Sequence, residues 1–218
     1  MVSRKLPDLE KVAEEIGRLG RKSLAIAANA GRMEEIGDIV AKVKGEFGRI
    51  DILVNNAATS PAMISALDAD ESLWDAIINL NLKGLFFLSQ TVARVMKEQG
   101  GGKIINVASV DGFRPEPNLG IYAISKAGVI MATKVMALEW AQYNIRVNAI
   151  APGNVHTRFG DSRFAVVPDY QAELVKRTPI GRIAEPDEMV GAIIYLASRA
   201  SSFTTGETLV VDGGTLIG

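Results

Sequence analysis

Residues 102–128 read GKIINVASVDGFRPEPNLGIYAISKAG. The run "GKIINVAS" (102–109) is short, apolar and β-branched, as a strand buried on both faces requires. A stretch rich in Pro and Gly follows, which breaks regular structure. From Ile121 to Gln142 apolar residues then recur at helical spacing. One strand, one loop and one helix make a β-α unit, and the same alternation runs outward in both directions. The other strand-like runs are "KSLAIAA" (22–28), "DILVNNA" (51–57), "NIRVNAIAPG" (144–153) and "ETLVVDGG" (207–214). Helices are predicted over Leu9–Leu19, Arg32–Phe47, Glu71–Gln99, Pro168–Lys176 and Asp187–Arg199, with glycine stops in "GRLG" and "GEFGRID". This is an α/β pattern: a buried parallel sheet with helices on both faces. No linker, repeat or low-complexity tract interrupts it, so residues 1–218 read as one domain.

Composition narrows the partners. The 218 residues are 48% hydrophobic and 22% charged, enough for a sizeable core. The net charge of -1 gives no basic field for nucleic acid or an anionic membrane surface. Without cysteine there is no disulfide framework or thiolate nucleophile, and a single histidine with no H-E-x-x-H spacing argues against a metal site. Charges occupy the first ten residues where a signal peptide needs an apolar run, and no stretch is expected to be a membrane span. The expected location is cytoplasmic, with no nucleic-acid or membrane partner.

The chemistry concentrates around residues 109–126. Tyr122 and Lys126 stand four apart, on one face of the predicted helix, so both can meet one ligand. Free tyrosine, with a pKa of about 10, is a poor acid-base catalyst at neutral pH, but a neighbouring ammonium favours the phenolate. Ser109 ends the preceding strand thirteen positions before Tyr122. Asn81 in "NLNLKG", Asn55 and Ala57 in "DILVNNA", and the Pro152–Gly153 pair follow in a fixed order, each after a predicted strand or on the next helix. Taken singly, each has an ordinary structural explanation: a helix polar group, a strand end, a turn.

Taken together, "DILVNNA", "NLNLKG", "INVAS", "YAISK", "IRVNAIAPGNVHT" and "TGETLVVDGGT" resemble the short-chain dehydrogenase/reductase family along essentially the whole chain. The resemblance implies a Rossmann-type, doubly wound three-layer α/β/α fold and an NAD(P)-dependent oxidoreductase that interconverts a carbonyl and an alcohol. It implies that Tyr122 is the acid/base, that Lys126 lowers its pKa and holds the nicotinamide ribose, and that Ser109 bonds the substrate oxygen. Asn81 would anchor a water relaying protons toward Lys126. Pro152, Gly153, Val155 and Thr157 would surround the nicotinamide. Long helices and the last strand imply a homodimer or homotetramer, and the substrate class is closest to carbonyl and 3-oxoacyl-thioester reductases, with sugar dehydrogenases as the other possibility.

The family normally opens with a strand, a TGxxxGxG turn and a helix, and this sequence begins instead with "MVSRK", which looks like the end of a second strand. The expectation is a domain that starts upstream of Met1, short of a β-α unit of roughly 30 residues. The strands "KSLAIAA" and "DILVNNA" should then expose unpaired edges. A non-catalytic chain that has lost nucleotide binding is the alternative reading. Arg4, beside Ser3 and Lys5, stands where NADP-preferring members place a base for the 2′-phosphate, so NADP(H) is favoured over NAD(H). Asn29, where an Asp is usual, leaves the adenine contact open, and Ala58 replaces a usual glycine. His156 is expected to be a loop residue, and Trp74 and Trp140 to be core or interface residues. The region 154–179, with Phe159, Phe164 and Tyr170, is expected to shape the substrate pocket.

Overall fold

The structure is a computed structural model that describes residues 1–157 and 169–218. Its elements are β1 (Val2–Ser3), α1 (Leu6–Arg18), β2 (Ile26–Ala27), α2 (Met33–Phe47), β3 (Ile52–Asn55), α3 (Glu71–Ile78), α4 (Leu85–Glu98), β4 (Gly102–Val107), α5 (Gly120–Trp140), β5 (Ile145–Pro152), α6 (Tyr170–Lys176), α7 (Val190–Ala197) and β6 (Thr208–Val211). All strand pairs are parallel.

Strand alternation decides which layer each side chain enters. On one face Ile104 of β4 and Val147 and Ala149 of β5 meet α2, α4 and α5 through Ile39, Leu88, Met96, Val129 and Met136. On the other face Ile105 and Ile150 meet Leu196 of α7. Three layers result, as the resemblance implies. Inside the first layer a buried polar chain crosses the core. Asn55 Nδ2 donates to Ser89 Oγ (2.8 Å) and Asn106 Oδ1 (2.9 Å), and Asn106 Nδ2 donates to Thr133 Oγ1 (2.8 Å). Four groups that would be costly to bury singly are satisfied by one another, tying β3, α4, β4 and α5 together.

Three expectations need correction. The long helix expected over Glu71–Gln99 is interrupted by a π-helical turn, Asn79–Gly84, which separates α3 from α4. Apolar periodicity runs through both halves, so only the backbone shows the break. The sequence also contains a helix long and apolar enough to cross a membrane: Gly120–Tyr143, mean hydropathy 1.4. It is α5 with its terminal turn, packed over β4 and β5 with Lys126, Val129 and Met136 buried, so its hydropathy belongs to a core helix. Finally, the sheet is in two pieces, β1-β2 and β3-β4-β5-β6. Among the described residues β3 has an unpaired edge, as expected. The edge across from it, however, belongs to β1 rather than to the 22–28 run, which pairs on β1 and is limited to two residues by that partner's length.

A cavity of about 580 Å³ lies between these edges, lined by Val2, Ser3, Arg4, Ile52, Val54 and the apolar faces of α2 and α4. The two sides of the β3-β4 pair should therefore respond differently to truncation. Ile105, 1% exposed, should cost about 2–5 kcal/mol on replacement by alanine. Ile52, 43% exposed at the open edge, should cost under about 1 kcal/mol. Urea midpoints of I105A and I52A check this, and equal shifts would mean that the outer edge of β3 is covered in solution.

Candidate active site

The carboxyl ends of β3, β4 and β5 open onto a cavity of about 780 Å³, the place where a parallel α/β sheet receives ligands. Ser109, Tyr122, Lys126, Ala57, Pro152, Gly153, Val155 and Thr157 all line it. Asn56, Asp111, Asn154, Tyr170, Leu174, Pro186, Met189 and Ile193 complete the walls. Of these, Asp111, Met189 and Ile193 carried no signal in sequence. Asp111 is two residues from Ser109, and the other two read as an ordinary apolar helix face until α7 is placed on the sheet.

Ser109 follows β4 and caps a short 3-10 turn, Val110–Gly112, by accepting the Asp111 N–H (3.1 Å). That bond takes a lone pair and leaves the hydroxyl proton to be directed at an oxygen in the cavity. Gly112 lets the turn sit against α5: a Cβ there would meet the Lys126 carbonyl carbon at 2.9 Å. Tyr122 and Lys126, 6% and 3% exposed, lie one helical turn apart on α5, with Lys126 Nζ 5.6 Å from the Tyr122 ring centroid. Lys126 Nζ also donates to the Val107 carbonyl at the end of β4 (2.7 Å), which holds the cation over the strand end.

Asn81 sits in the π-helical turn, and its side chain is engaged on three sides. Oδ1 accepts the Thr59 N–H (2.8 Å), while Nδ2 donates to the Thr59 carbonyl (3.0 Å) and to Ser125 Oγ (3.1 Å). Ser125 in turn donates to the Tyr122 carbonyl (2.7 Å). Asn81 therefore bonds directly to the helix that carries Tyr122, reaches the Tyr122 carbonyl through Ser125, and does not line the cavity. Gly153 needs its missing side chain, since a Cβ would strike Asp212 Cα at 2.8 Å where β5 passes β6. Beyond it, Val155 bridges Ala184, and the His156 N–H donates to the Ala184 carbonyl (2.9 Å), which makes His156 a loop residue outside the lining.

Ser3, Arg4, Asn29, Asn55 and Ala57 gather at the second cavity, which shares Val54, Asn56, Ala57 and Ala58 with the first. The two form one trough along β3. Within it the Asn55 amide is turned into the core network, and Asn29 Oδ1 accepts the Gly31 N–H (3.0 Å). Lys5 is not among the lining residues, and its N–H lies 3.5 Å from Ser3 Oγ. Phe159, Phe164 and Pro168 lie outside the described residues.

Comparisons with known proteins show the family. A family model described as Enoyl-(Acyl carrier protein) reductase matches residues 2–215. The 2-dehydro-3-deoxy-D-gluconate 5-dehydrogenase of Escherichia coli is 42% identical over 204 residues, covering 93% of this chain and 80% of that protein. The chain belongs to the short-chain dehydrogenase/reductase family. It is an oxidoreductase of that family with a Rossmann-like α/β fold. The 3-oxoacyl-[acyl-carrier-protein] reductase of Thermotoga maritima is 40% identical over 212 residues, 96% of this chain and 84% of that one. The crystal structure of a gluconate 5-dehydrogenase from Burkholderia cenocepacia in complex with NADP and tartrate superposes with a TM-score of 0.94 at 34% identity, covering 100% of this chain and 85% of that chain. The family model begins at residue 2, so the match does not establish the upstream start expected from "MVSRK".

In this dehydrogenase/reductase the wall formed by Pro186 and Met189 is braced from outside. Arg182 donates to both oxygens of Glu188 (2.7 and 2.6 Å), and the Glu188 carboxylate also accepts the Glu185 N–H (2.8 Å). The Arg182 bonds first, and then the backbone bond, hold the Glu188 pKa down at about 2. A depressed carboxylate pKa stabilises the fold above the ordinary value and loses that contribution as pH falls through the depressed one. Both side chains are exposed, so the stability effect is small. An NMR titration should find Glu188 near that value, with R182Q returning it toward the usual carboxylate range. An unchanged midpoint in R182Q would remove the brace.

Proposed function

We propose that this chain is an NADP(H)-dependent reductase that interconverts a carbonyl and a secondary alcohol, with Tyr122 as the acid/base. The observation that carries the reading is the convergence of Ser109, Tyr122 and Lys126 on one cavity bounded by Pro152, Gly153, Val155 and Thr157. The trough along β3 suits a dinucleotide. Gly153, Val155 and Thr157 would hold the nicotinamide end, and Ser3, Arg4 and Asn29 the adenosine end. When bound, such a cofactor supplies or accepts the hydride.

The residues of the chain do the rest. Ser109, its lone pair already engaged by Asp111, donates a hydrogen bond to the substrate oxygen and orients it beside Tyr122. The Tyr122 hydroxyl gives its proton to that oxygen during reduction and takes one back during oxidation. Lys126, pinned by the Val107 carbonyl, supplies the positive charge that favours the phenolate left behind. Asn81 serves the relay that restores the proton, in this reading through its backbone, because its side chain is committed to Thr59 and Ser125. The relatives' names supply two substrate classes, a polyhydroxy sugar acid and a 3-oxoacyl thioester with a hydrocarbon chain, which share a carbon that interconverts between carbonyl and secondary alcohol. We place the protein in the cytoplasm, where such substrates and NADPH occur together.

NADPH consumption by the purified chain with a panel of ketones tests the reading. Tyr122→Phe should lower kcat by at least about 100-fold while the NADPH Kd stays within about two-fold. Equal turnover by the variant would refute the acid/base role, and no binding of either cofactor by folded protein would favour the non-catalytic alternative. R4A should weaken NADPH relative to NADH by roughly ten-fold, the size of one lost charge-assisted bond.

The reading includes a homodimer or homotetramer. Ile124, Met131 and Leu138 recur at seven-residue spacing along one side of α5, 51%, 59% and 83% exposed. A stripe of large apolar side chains on the solvent side of a helix needs cover. M131E combined with L138E should shift the mass measured by light scattering toward the monomer, and an unchanged mass would move the interface elsewhere.

A further inference from the structure

Helix α6 forms one wall of the active-site cavity through Tyr170 and Leu174. Seven residues are too few for a helix to persist alone, and its start is weak: Asp169 sits in the left-handed region (φ 59°) and makes no side-chain cap. Something outside must hold it. Leu174, 2% exposed, anchors the middle, and Thr178 closes the far end by donating to the Leu174 carbonyl (2.8 Å). A further restraint comes from Glu116. Its Oε2 accepts from the Tyr170 hydroxyl (3.1 Å), and its Oε1 accepts from Arg177 Nη1 (3.1 Å). Tyr170, Leu174 and Arg177 stand at i, i+4 and i+7, one face of the helix. A single carboxylate therefore grips that face at its first residue and just beyond its last.

The position of Glu116 in the chain makes this more than a surface pair. It lies midway along the segment that joins Ser109 to Tyr122, and its side chain is only 16% exposed. That segment is itself fastened: the Asn118 carbonyl accepts the Ile64 N–H (2.9 Å), Arg114 Nη1 donates to the Gly218 carbonyl oxygen (3.2 Å), and Gly112 abuts α5. We propose that Glu116 is a positioning residue that sets the substrate-facing wall, by tying both ends of α6 to the segment that carries the two reacting hydroxyls. It touches neither substrate nor cofactor, so it acts on substrate binding and selectivity rather than on proton transfer. The inference rests on the activity proposed above, but the tie has a readout of its own.

Hydrogen exchange on the cofactor-free protein provides that readout. In E116A, amides of residues 173–178 should exchange at least about ten-fold faster, as expected from losing a charge-assisted bond, while β4 and β5 keep their protection. E116Q keeps one acceptor oxygen and should fall between E116A and the parent. K176Q is the control. It removes the exposed 2.7 Å ion pair with Glu173 on the same helix while leaving Glu116, Tyr170, Glu173 and Arg177 in place, and it should change nothing. In turnover assays E116A should raise KM for the carbonyl substrate roughly ten-fold with kcat within about two-fold, and E116Q should recover part of the loss. Unchanged exchange over 173–178 in E116A, an equal loss of protection across the whole sheet, or a fall in kcat with KM constant would each overturn the proposal. If the parent chain turns over no carbonyl, the activity reading fails while the exchange data still decide whether Glu116 holds α6.

Discussion

The pairing of β4 with β5 is the constraint on which the rest of the molecule depends. Both strands are buried on both faces, and their register runs unbroken from Gly102↔Ile145 to Val107↔Ile150. Everything chemical hangs from where that pair stops. Val107 ends β4 with a carbonyl that Lys126 can reach, Ser109 follows two residues later, and β5 delivers Pro152 and Gly153 to the same rim. Helix α5 lies across the pair, so Tyr122 and Lys126 are placed by the apolar packing of Val129, Met136 and Ala137 farther along the same helix. The placement of the Tyr122–Lys126 pair is a consequence of core packing, which is why the hydroxyl proposed as the acid/base is held on a rigid element rather than on a loop.

Polar groups inside the first layer serve that rigidity. The Asn55, Ser89, Asn106 and Thr133 chain is satisfied internally, and so is the Asn81, Thr59 and Ser125 joint. Each links elements that apolar packing alone would let slide. The π-helical turn at Asn79–Gly84 belongs to the same arrangement, because it turns Asn81 toward α5 rather than along the face shared by α3 and α4. At the cavity's outer wall the restraints change character. Glu116, Arg177 and the Arg182–Glu188 fork are charged and partly exposed, so the wall is held by bonds that water and salt can compete for. A rigid floor under a softer wall suits an enzyme whose chemistry is constant and whose substrate varies.

What was legible in the sequence, and what was not, follows from the range over which each signal acts. Hydrophobic periodicity is local, so the strands at 51–57, 102–109, 144–153 and 207–214 and the helices between them could be read residue by residue, and so could the Tyr122–Lys126 spacing and the strand-end position of Ser109. The π-helical turn was invisible because its residues keep the apolar spacing of the helix on either side. The hydropathy of α5 was ambiguous for a related reason: an apolar helix looks the same whether a sheet or a lipid covers it.

The sequence by itself determined the order of elements, the layered α/β architecture and the candidate reacting groups, because each depends on neighbours a few positions away. Tertiary structure alone decided that the Asn55 amide, at the edge of the trough, is spent on the core network, that Asp111, Met189 and Ile193 share the cavity with Tyr122, and that Glu116 meets Tyr170 and Arg177. Asn55 and Asn106 are 51 residues apart, Glu116 and Tyr170 54, and Glu116 and Arg177 61. No local pattern encodes such meetings; they arise only when the β4-β5 pair and the helices packed on it bring distant segments to one rim.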